Sequence, residues 1–345
     1  MTTDMGNLNR FVAQKNLERL QYYDIALTDP ASDSNAIIGD KCKLAYSILK
    51  NWSDKNPDSI KKAIEAAADE INNVAKLWGM QFMQICDLPR QGYEEQPKWS
   101  GPYCGAFYTT EVQKSTPFIG LAFKGTSPFN LREILVDKNY QLVQAGDFLQ
   151  GQSVSAGVYN GLFGDFSEKG KPSYKPYNHI FEQLGVIAKS LPRDEGTAIR
   201  AHVTEHSLGG SYSSMCSAQL LIDAPKFLPG FKMGDEYTFG APRVGSNDWA
   251  LMNRSLATDG DGQIWRIANS DDLVPQVPPT DLFKIEGSFY HTDQGVTIFK
   301  DKDPQDIASE INGPPPPGRK FTSWKEFKRD VIDAGPHLKF TSRLL

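Results

Sequence analysis

The chain has 345 residues, 23% of them charged, and a formal net charge of −5 at pH 7. With no basic run, that balance argues against a nucleic-acid partner held by phosphate neutralisation, and no stretch approaches the ~20 apolar residues of a membrane span. The length exceeds that of an average domain but suits a single unit, residues 1–345, built on one wound α/β sheet with a large core.

The first ten residues, Met1 to Arg10, lack the apolar run of a secretory signal. The expectation is a protein kept inside the cell, or a secreted one whose numbering starts at a processed terminus. Residues 1–78 are expected to form a helical segment packed across the sheet, because Leu8, Phe11, Val12 and Leu17 recur at turn-like spacing and 60–77 is rich in alanine, glutamate and lysine. Strands are expected at 80–86, 105–110, 118–123, 200–204, 236–239, 264–268 and 296–299, with another near Phe289. Helical stretches lie between several of them, among them 177–191, which carries His179; this alternation signals a mostly parallel central sheet flanked by helices.

Cys42, Cys86, Cys104 and Cys216 show no metal-ligand spacing. Cys86 and Cys104 flank a loop with proline and glycine and could pair in an oxidising compartment, while Cys216 is expected to pack within a helix. Asn51-Trp52-Ser53 and Asn253-Arg254-Ser255 are glycosylation sequons, of consequence only on a secreted chain.

The strand at 118–123 exits at Phe123-Lys124-Gly125-Thr126. Pro128 to Leu135 follows as an amphipathic stretch with Phe129, Leu131, Ile134 and Leu135 near one-turn spacing. On its own pattern it reads as a short surface helix. Next comes Val203-Thr204-Glu205-His206-Ser207-Leu208-Gly209-Gly210, a β-branched approach, a serine in a tight turn and a helix-compatible run. Such a turn presents a nucleophile, with the Leu208 amide as one oxyanion donor.

The same residues fit a rival pattern. His202-x-x-Glu205-His206 is a zinc-peptidase spacing when it lies on a helix. On a strand the two imidazoles would stand ~13 Å apart, too far to share a metal. If the stretch were helical, Gly209 and Gly210 would interrupt it within a turn.

A serine nucleophile needs a histidine base and an acid to orient it. Residues 263–268 read as a strand that ends in a polar turn holding Asp271 and Asp272, where catalytic acids sit on such sheets. His291 and His337 follow, the latter on a loop just after Gly335-Pro336. Serine, acid, histidine is the chain order of α/β-hydrolase-type enzymes. Between the two histidines, Gly313 to Gly318 forms a rigid proline-rich connector.

Across roughly residues 78–345 the chain resembles the fungal-type class 3 lipases, of the α/β-hydrolase superfamily. The matching blocks are Gly120 to Thr126, the His206-Ser207-Leu208-Gly209-Gly210 turn, Tyr237 to Gly245, Asn269 to Pro279, and His337-Leu338-Lys339-Phe340. The resemblance implies an α/β-hydrolase fold and a serine carboxylic-ester hydrolase acting on acylglycerols or other apolar acyl esters, with a lipid–water interface as a place of action and with no metal or organic cofactor. It selects Asp272, which directly precedes Leu-Val-Pro, over Asp271, and His337, which heads the final His-Leu-Lys-Phe segment, over His291, which resembles a non-catalytic histidine of the family. Thr126 becomes the second oxyanion donor, and 126–140 takes the place of the family's lid.

The chain also departs from the family pattern. Glu205 replaces a glycine, Ser155 a histidine and Lys124 an arginine. A long acid beside the nucleophile is costly to bury, so the expectation is a basic or hydrogen-bonding neighbour for Glu205. A catalytically silent, lipase-like binding protein is the remaining alternative.

Overall fold

The computed structural model describes residues 69, 71–73, 75–76, 79–87, 103–109, 117–125, 141–165, 175–270, 272–278, 289–292, 294–299 and 301–311. In chain order the strands are β1 (Met80–Asp87), β2 (Tyr103–Thr109), β3 (Phe118–Phe123), β4 (Leu142–Gln144), β5 (Ser153–Ser155), β6 (Ile199–His206), β7 (Phe231–Phe239), β8 (Ile264–Asn269), β9 (Gly295–Ile298) and β10 (Gln305–Ile307). The helices are α1 (Ala156–Phe163), α2 (Pro176–Ser190), α3 (Leu208–Phe227) and α4 (Asn247–Asp259).

Eight strands make one sheet in the order β1-β2-β3-β6-β7-β8-β9-β10, and β4 and β5 pair as a separate hairpin. Pairing is parallel from β3 through β6, β7 and β8 to β9 and antiparallel at both edges. All six residues of β3 are buried, and β6 is buried along nearly its whole length. Strands covered on both faces must be apolar on both, which is why Phe118 to Phe123 shows no alternation.

Pro176 opens α2, where its missing N–H leaves no bond unmade, and Tyr177, Ile180, Leu184 and Ile187 turn one stripe toward the core. α3 buries Gly209, Gly210, Ser213, Ser214, Cys216, Ser217 and Ala218 instead. Small side chains let this helix lie close on the sheet, where it packs on β6 and β7. At α4 the Ser246 hydroxyl caps the first turn by accepting the Trp249 amide at 3.2 Å.

The last described turn before β1 is helical within 69–76, and Asn72 Oδ1 accepts the Phe82 amide at 3.1 Å, tying this turn to β1. Most of the expected helical segment, 1–68, lies outside the described residues, as do Cys42, Asn51, 126–140 and 313–318.

Several expectations need correction. β7 begins at Phe231 rather than at 236. Near Phe289 there is an isolated bridge, Gly245 to Tyr290, in place of a strand. Asn253 sits inside α4 with 0% exposure, so its sequon offers no acceptor on the folded chain. Cys86 and Cys104 face each other across β1 and β2 as buried free thiols, whereas Cys216 is buried in α3 as expected.

Candidate active site

β6 carries the chain to Ser207 at the carboxyl edge of the sheet. Ser207 takes φ 62° and ψ −132°, a state that a residue with a Cβ adopts only when its surroundings impose it. Hydrogen bonds on both sides impose it here: the Ser207 amide donates to Phe239 O at 2.9 Å, and the Ser207 carbonyl accepts from the Gly210 amide at 3.0 Å. Two glycines let the exit of β3 lie against this turn. A Cβ on Gly209 would stand 2.9 Å from Phe123 O, and one on Gly125 would stand 2.6 Å from His206 O and 3.4 Å from Ser207 Cβ. The Ser207 hydroxyl is buried and has no hydrogen-bond partner among the described residues. Leu208 opens α3, and the first amides of a helix have no intrahelical acceptors, so this end of α3 suits a developing negative charge.

Asp272 follows β8 at the same carboxyl edge and is 2% exposed. Its Oδ1 accepts the Val274 amide at 2.9 Å, its own amide donates to Asn269 O at 3.0 Å, and its carbonyl accepts from Gln276 Nε2 at 3.1 Å. Asp271 lies outside the described residues.

The segment that carries Asp272 is clamped from outside. Arg243 Nη1 donates to Gln276 O at 2.7 Å and to Pro278 O at 3.1 Å, while its Nε and Nη2 each meet the Glu310 carboxylate at 3.3 Å. Glu310 also accepts the His291 amide at 3.1 Å, and His291 Nε2 lies 2.6 Å from Pro275 O. Burial pushes His291 well below its ordinary pKa, so the ring is neutral at pH 7 and donates Nε2–H to that carbonyl. Burial alone would raise the Glu310 carboxyl, but nearby charge outweighs it and brings the group well down. Because His291 is neutral, the guanidiniums of Arg243 and Arg266 carry that effect.

His202 and His206 belong to β6, a strand, so the helical zinc geometry does not form. His202 Nδ1 is occupied, accepting the Asp235 amide at 3.0 Å. No cluster of side chains able to hold a metal occurs among the described residues.

Of the residues singled out from sequence, Ser207 and Leu208 share the turn and Asp272 stands at the same sheet edge, two strands away. Thr126, His337, Phe129, Leu131, Ile134 and Leu135 lie outside the described residues. The Ser207 turn, the β3 exit and the Asp272 segment all fall inside residues 120–282, which match the family model described as Lipase (class 3). This match puts the similarity to class 3 lipases on the segment that carries Ser207 and Asp272.

Curated relatives named as lipases are similar to the chain as well. The chain is 25% identical over 268 residues to triacylglycerol lipase OBL1 of Arabidopsis thaliana, covering 72% of this chain and 49% of the relative. It is 38% identical over 92 residues to secreted mono- and diacylglycerol lipase 1 of Fusarium solani, covering 27% of this chain and 24% of the relative. The chain thus spans half or less of the length of these relatives. Among solved structures, the Rhizomucor miehei lipase propeptide complex is similar at 16% identity and a TM-score of 0.47, covering 92% of this chain and 78% of that one.

The expectation for Glu205 needs correction. Glu205 is fully buried, and the ionisable group that acts on it is not a cation but a second carboxyl, Glu236. Neither oxygen of Glu205 receives a well-aligned hydrogen bond, although the Phe239 amide stands close enough to favour the anion slightly. Burial, then Glu236, raise the Glu205 carboxyl well above its ordinary value, so it is accommodated as a neutral acid rather than as an ion pair. Sequence reasoning missed Glu236, Glu310 and the clamping role of Arg243. The first would have required the β6–β7 register, and the others contact residues at a separation of 67.

Proposed function

We propose that the chain is a serine carboxylic-ester hydrolase working through an acyl-enzyme. At the level of the family it is a lipase or esterase-type α/β hydrolase. Ser207 Oγ attacks the ester carbonyl as His337 takes its proton, and Asp272 orients the imidazole. The amides of Leu208 and Thr126 receive the oxyanion. Collapse expels the alcohol, which takes the proton back from His337, and water activated by the same histidine then releases the acid. Acylglycerols are the proposed substrates, in line with the names of the Arabidopsis and Fusarium relatives. Residues 126–140, which carry Phe129, Leu131, Ile134 and Leu135, are the proposed cover over the acyl site, opening at a lipid surface.

The observation that carries this reading is the backbone of Ser207, a non-glycine residue at φ 62° between a parallel strand and a helix, with two glycines pressed against it. The test is hydrolysis of p-nitrophenyl esters of graded acyl length, above and below their solubility limits, by the wild type and Ser207→Ala, with fluorophosphonate labelling alongside. The expected result is esterase activity and labelling that both vanish in Ser207→Ala. Folded wild-type protein that neither hydrolyses any ester nor labels would overturn it in favour of a silent binding protein, and activity lost to chelators would favour a metalloenzyme.

A further inference from the structure

The face of the sheet beneath α3 holds two carboxyls that no step of the ester hydrolysis uses. Val203 is the register partner of Glu236 and Thr238 that of Glu205, so the two glutamates project from neighbouring parallel strands to one face, a diagonal step apart. The matching face of α3 is Gly210, Ser214 and Ser217, spaced four and three residues apart. Glu205 lies under Gly210, where a Cβ would collide with Glu205 Oε1 and Ala241 Cβ. Glu236 lies one turn further on, its Oε1 accepting from Ser214 Oγ at 2.5 Å. Both are essentially inaccessible, at 0% and 1% exposure.

We propose that Glu205, backed by Glu236, is a positioning residue for the Ser207 turn: its uncharged side chain fills the space under the first turn of α3, and its ionisation displaces that turn and the serine with it. This rests on the reading of Ser207 as nucleophile. Only His206 and Ser207 stand between Glu205 and the helix start at Leu208, so a Glu205 side chain seeking water moves the chain that sets the oxyanion amide and the hydroxyl. The positive end of α3 favours an anion, but by less than an unpaired buried carboxylate costs.

The surroundings offer the charge no escape among the described residues. Glu236 on β7 repels it. α3 has no acid in its first turn, and its only basic residue near an end is Lys226 in the last turn. Cys216 on α3 is itself pushed up by burial first and then by Cys86 and Glu236. Arg266 on β8 is the register partner of Thr238 on this face, yet its charge acts on His291 and Glu310. β3 contributes only apolar residues, and Lys124 beyond it directs Nζ toward Gly125 O at 3.4 Å. Within the pair Glu236 ionises first: burial raises it to about 7, opposed by its bonds from Ser214 and Ser217, and its charge then holds Glu205 neutral to higher pH.

The test compares the full chain with Glu205→Gln and Glu236→Gln, using kcat for p-nitrophenyl butyrate from pH 6 to 10 with Ser207→Ala as the blank. Hydrogen exchange of the 208–212 amides, corrected for intrinsic rate, is followed over the same range. The expected wild-type profile falls at least tenfold on its alkaline side, with loss of protection at 208–212 at the same pH. Glu205→Gln, normalised to its own maximum, loses that limb and keeps its protection. Glu236→Gln moves the limb to lower pH, because the neighbouring charge that held Glu205 neutral is gone; a purely structural role would move neither profile. A wild-type limb unaltered in Glu205→Gln, or no limb and no exchange transition, overturns the proposal. A folded wild type without serine-dependent activity, whose exchange transition nonetheless disappears in Glu205→Gln, refutes the hydrolase reading and with it the claim that the nucleophile is positioned, so the two failures are separable.

Discussion

Removing the Arg243 side chain should weaken the fold more than any single exposed change, and the reason lies in what it leaves behind. Arg243 and Glu310 have side-chain exposures of 5% and 2%, so Arg243→Ala strands a carboxylate in an almost dry site with the His291 amide as its remaining donor among the described residues. It also takes the donors from Gln276 O and Pro278 O. Breaking a buried pair from one side costs roughly 3–5 kcal/mol, a large share of the ~5–15 kcal/mol that holds a native protein together. At ~2–4 °C per kcal/mol for a chain of this size, Tm should fall by roughly 6–20 °C. Arg243→Met with Glu310→Leu removes both charges and should recover most of the loss, since a buried ion pair is often matched by apolar side chains of similar volume.

Acid gives an independent reading of the same clamp. The Glu310 carboxyl is depressed in the folded state, so its stabilisation is present above the ordinary value of 4.5 and is lost as pH falls through the lower folded value. Arg243→Ala forfeits that stabilisation, so its urea midpoint should approach that of the wild type as pH drops below about 4, whereas at pH 7 the two are far apart. Because Gln276 and Pro278 belong to the segment that carries Asp272, kcat should also fall at least tenfold. A loss under 1 kcal/mol at pH 7, or wild type and variant losing stability in parallel down to pH 3, would refute the clamp.

Gly125→Ala should lower kcat on a soluble ester by roughly a hundredfold, because its Cβ would sit 2.6 Å from His206 O and must open the β3 exit away from the serine turn; a change below threefold in a folded variant would show that this approach does not matter. Cys86, Cys104 and Cys216 are all buried, and burial raises Cys104 and Cys216 well above the usual thiol range. Since the thiolate is the reactive form, these three thiols should resist Ellman's reagent in native buffer and react at once in urea, as read by mass mapping. Rapid native labelling of Cys104 would contradict its environment.

What was legible in the sequence followed from how local each signal is. β3 and the core of β6 show as runs of apolar and β-branched residues, and the Ser207 turn shows because its glycines and hydroxyl lie within four residues. β7 showed only from Glu236 onward, since its first half includes Lys232, Gly234 and Asp235. Gly234 is there for tertiary reasons: a Cβ would run into the His202 ring from the neighbouring strand. β4, β5 and β10 are three residues each, too short for any period to register. The clamp was illegible for the opposite reason, its members being scattered over β7's exit, the Asp272 segment, His291 and Glu310.

Glu205 and Glu310 explain why a buried carboxyl cannot be judged from its own residue. The two are almost equally inaccessible, at 0% and 3%, yet one is pushed up and the other down. Burial acts on both in the same direction, so the difference comes from partners: two guanidiniums face Glu310, and a second carboxyl faces Glu205. Partners are set by strand register, because Glu205 meets Glu236 only where β6 and β7 pair Glu205 with Thr238. A shift of one residue would turn Glu236 to the opposite face. Register therefore decides which acid can stay charged and which must stay neutral, and the neutral one is placed beneath the turn that presents Ser207.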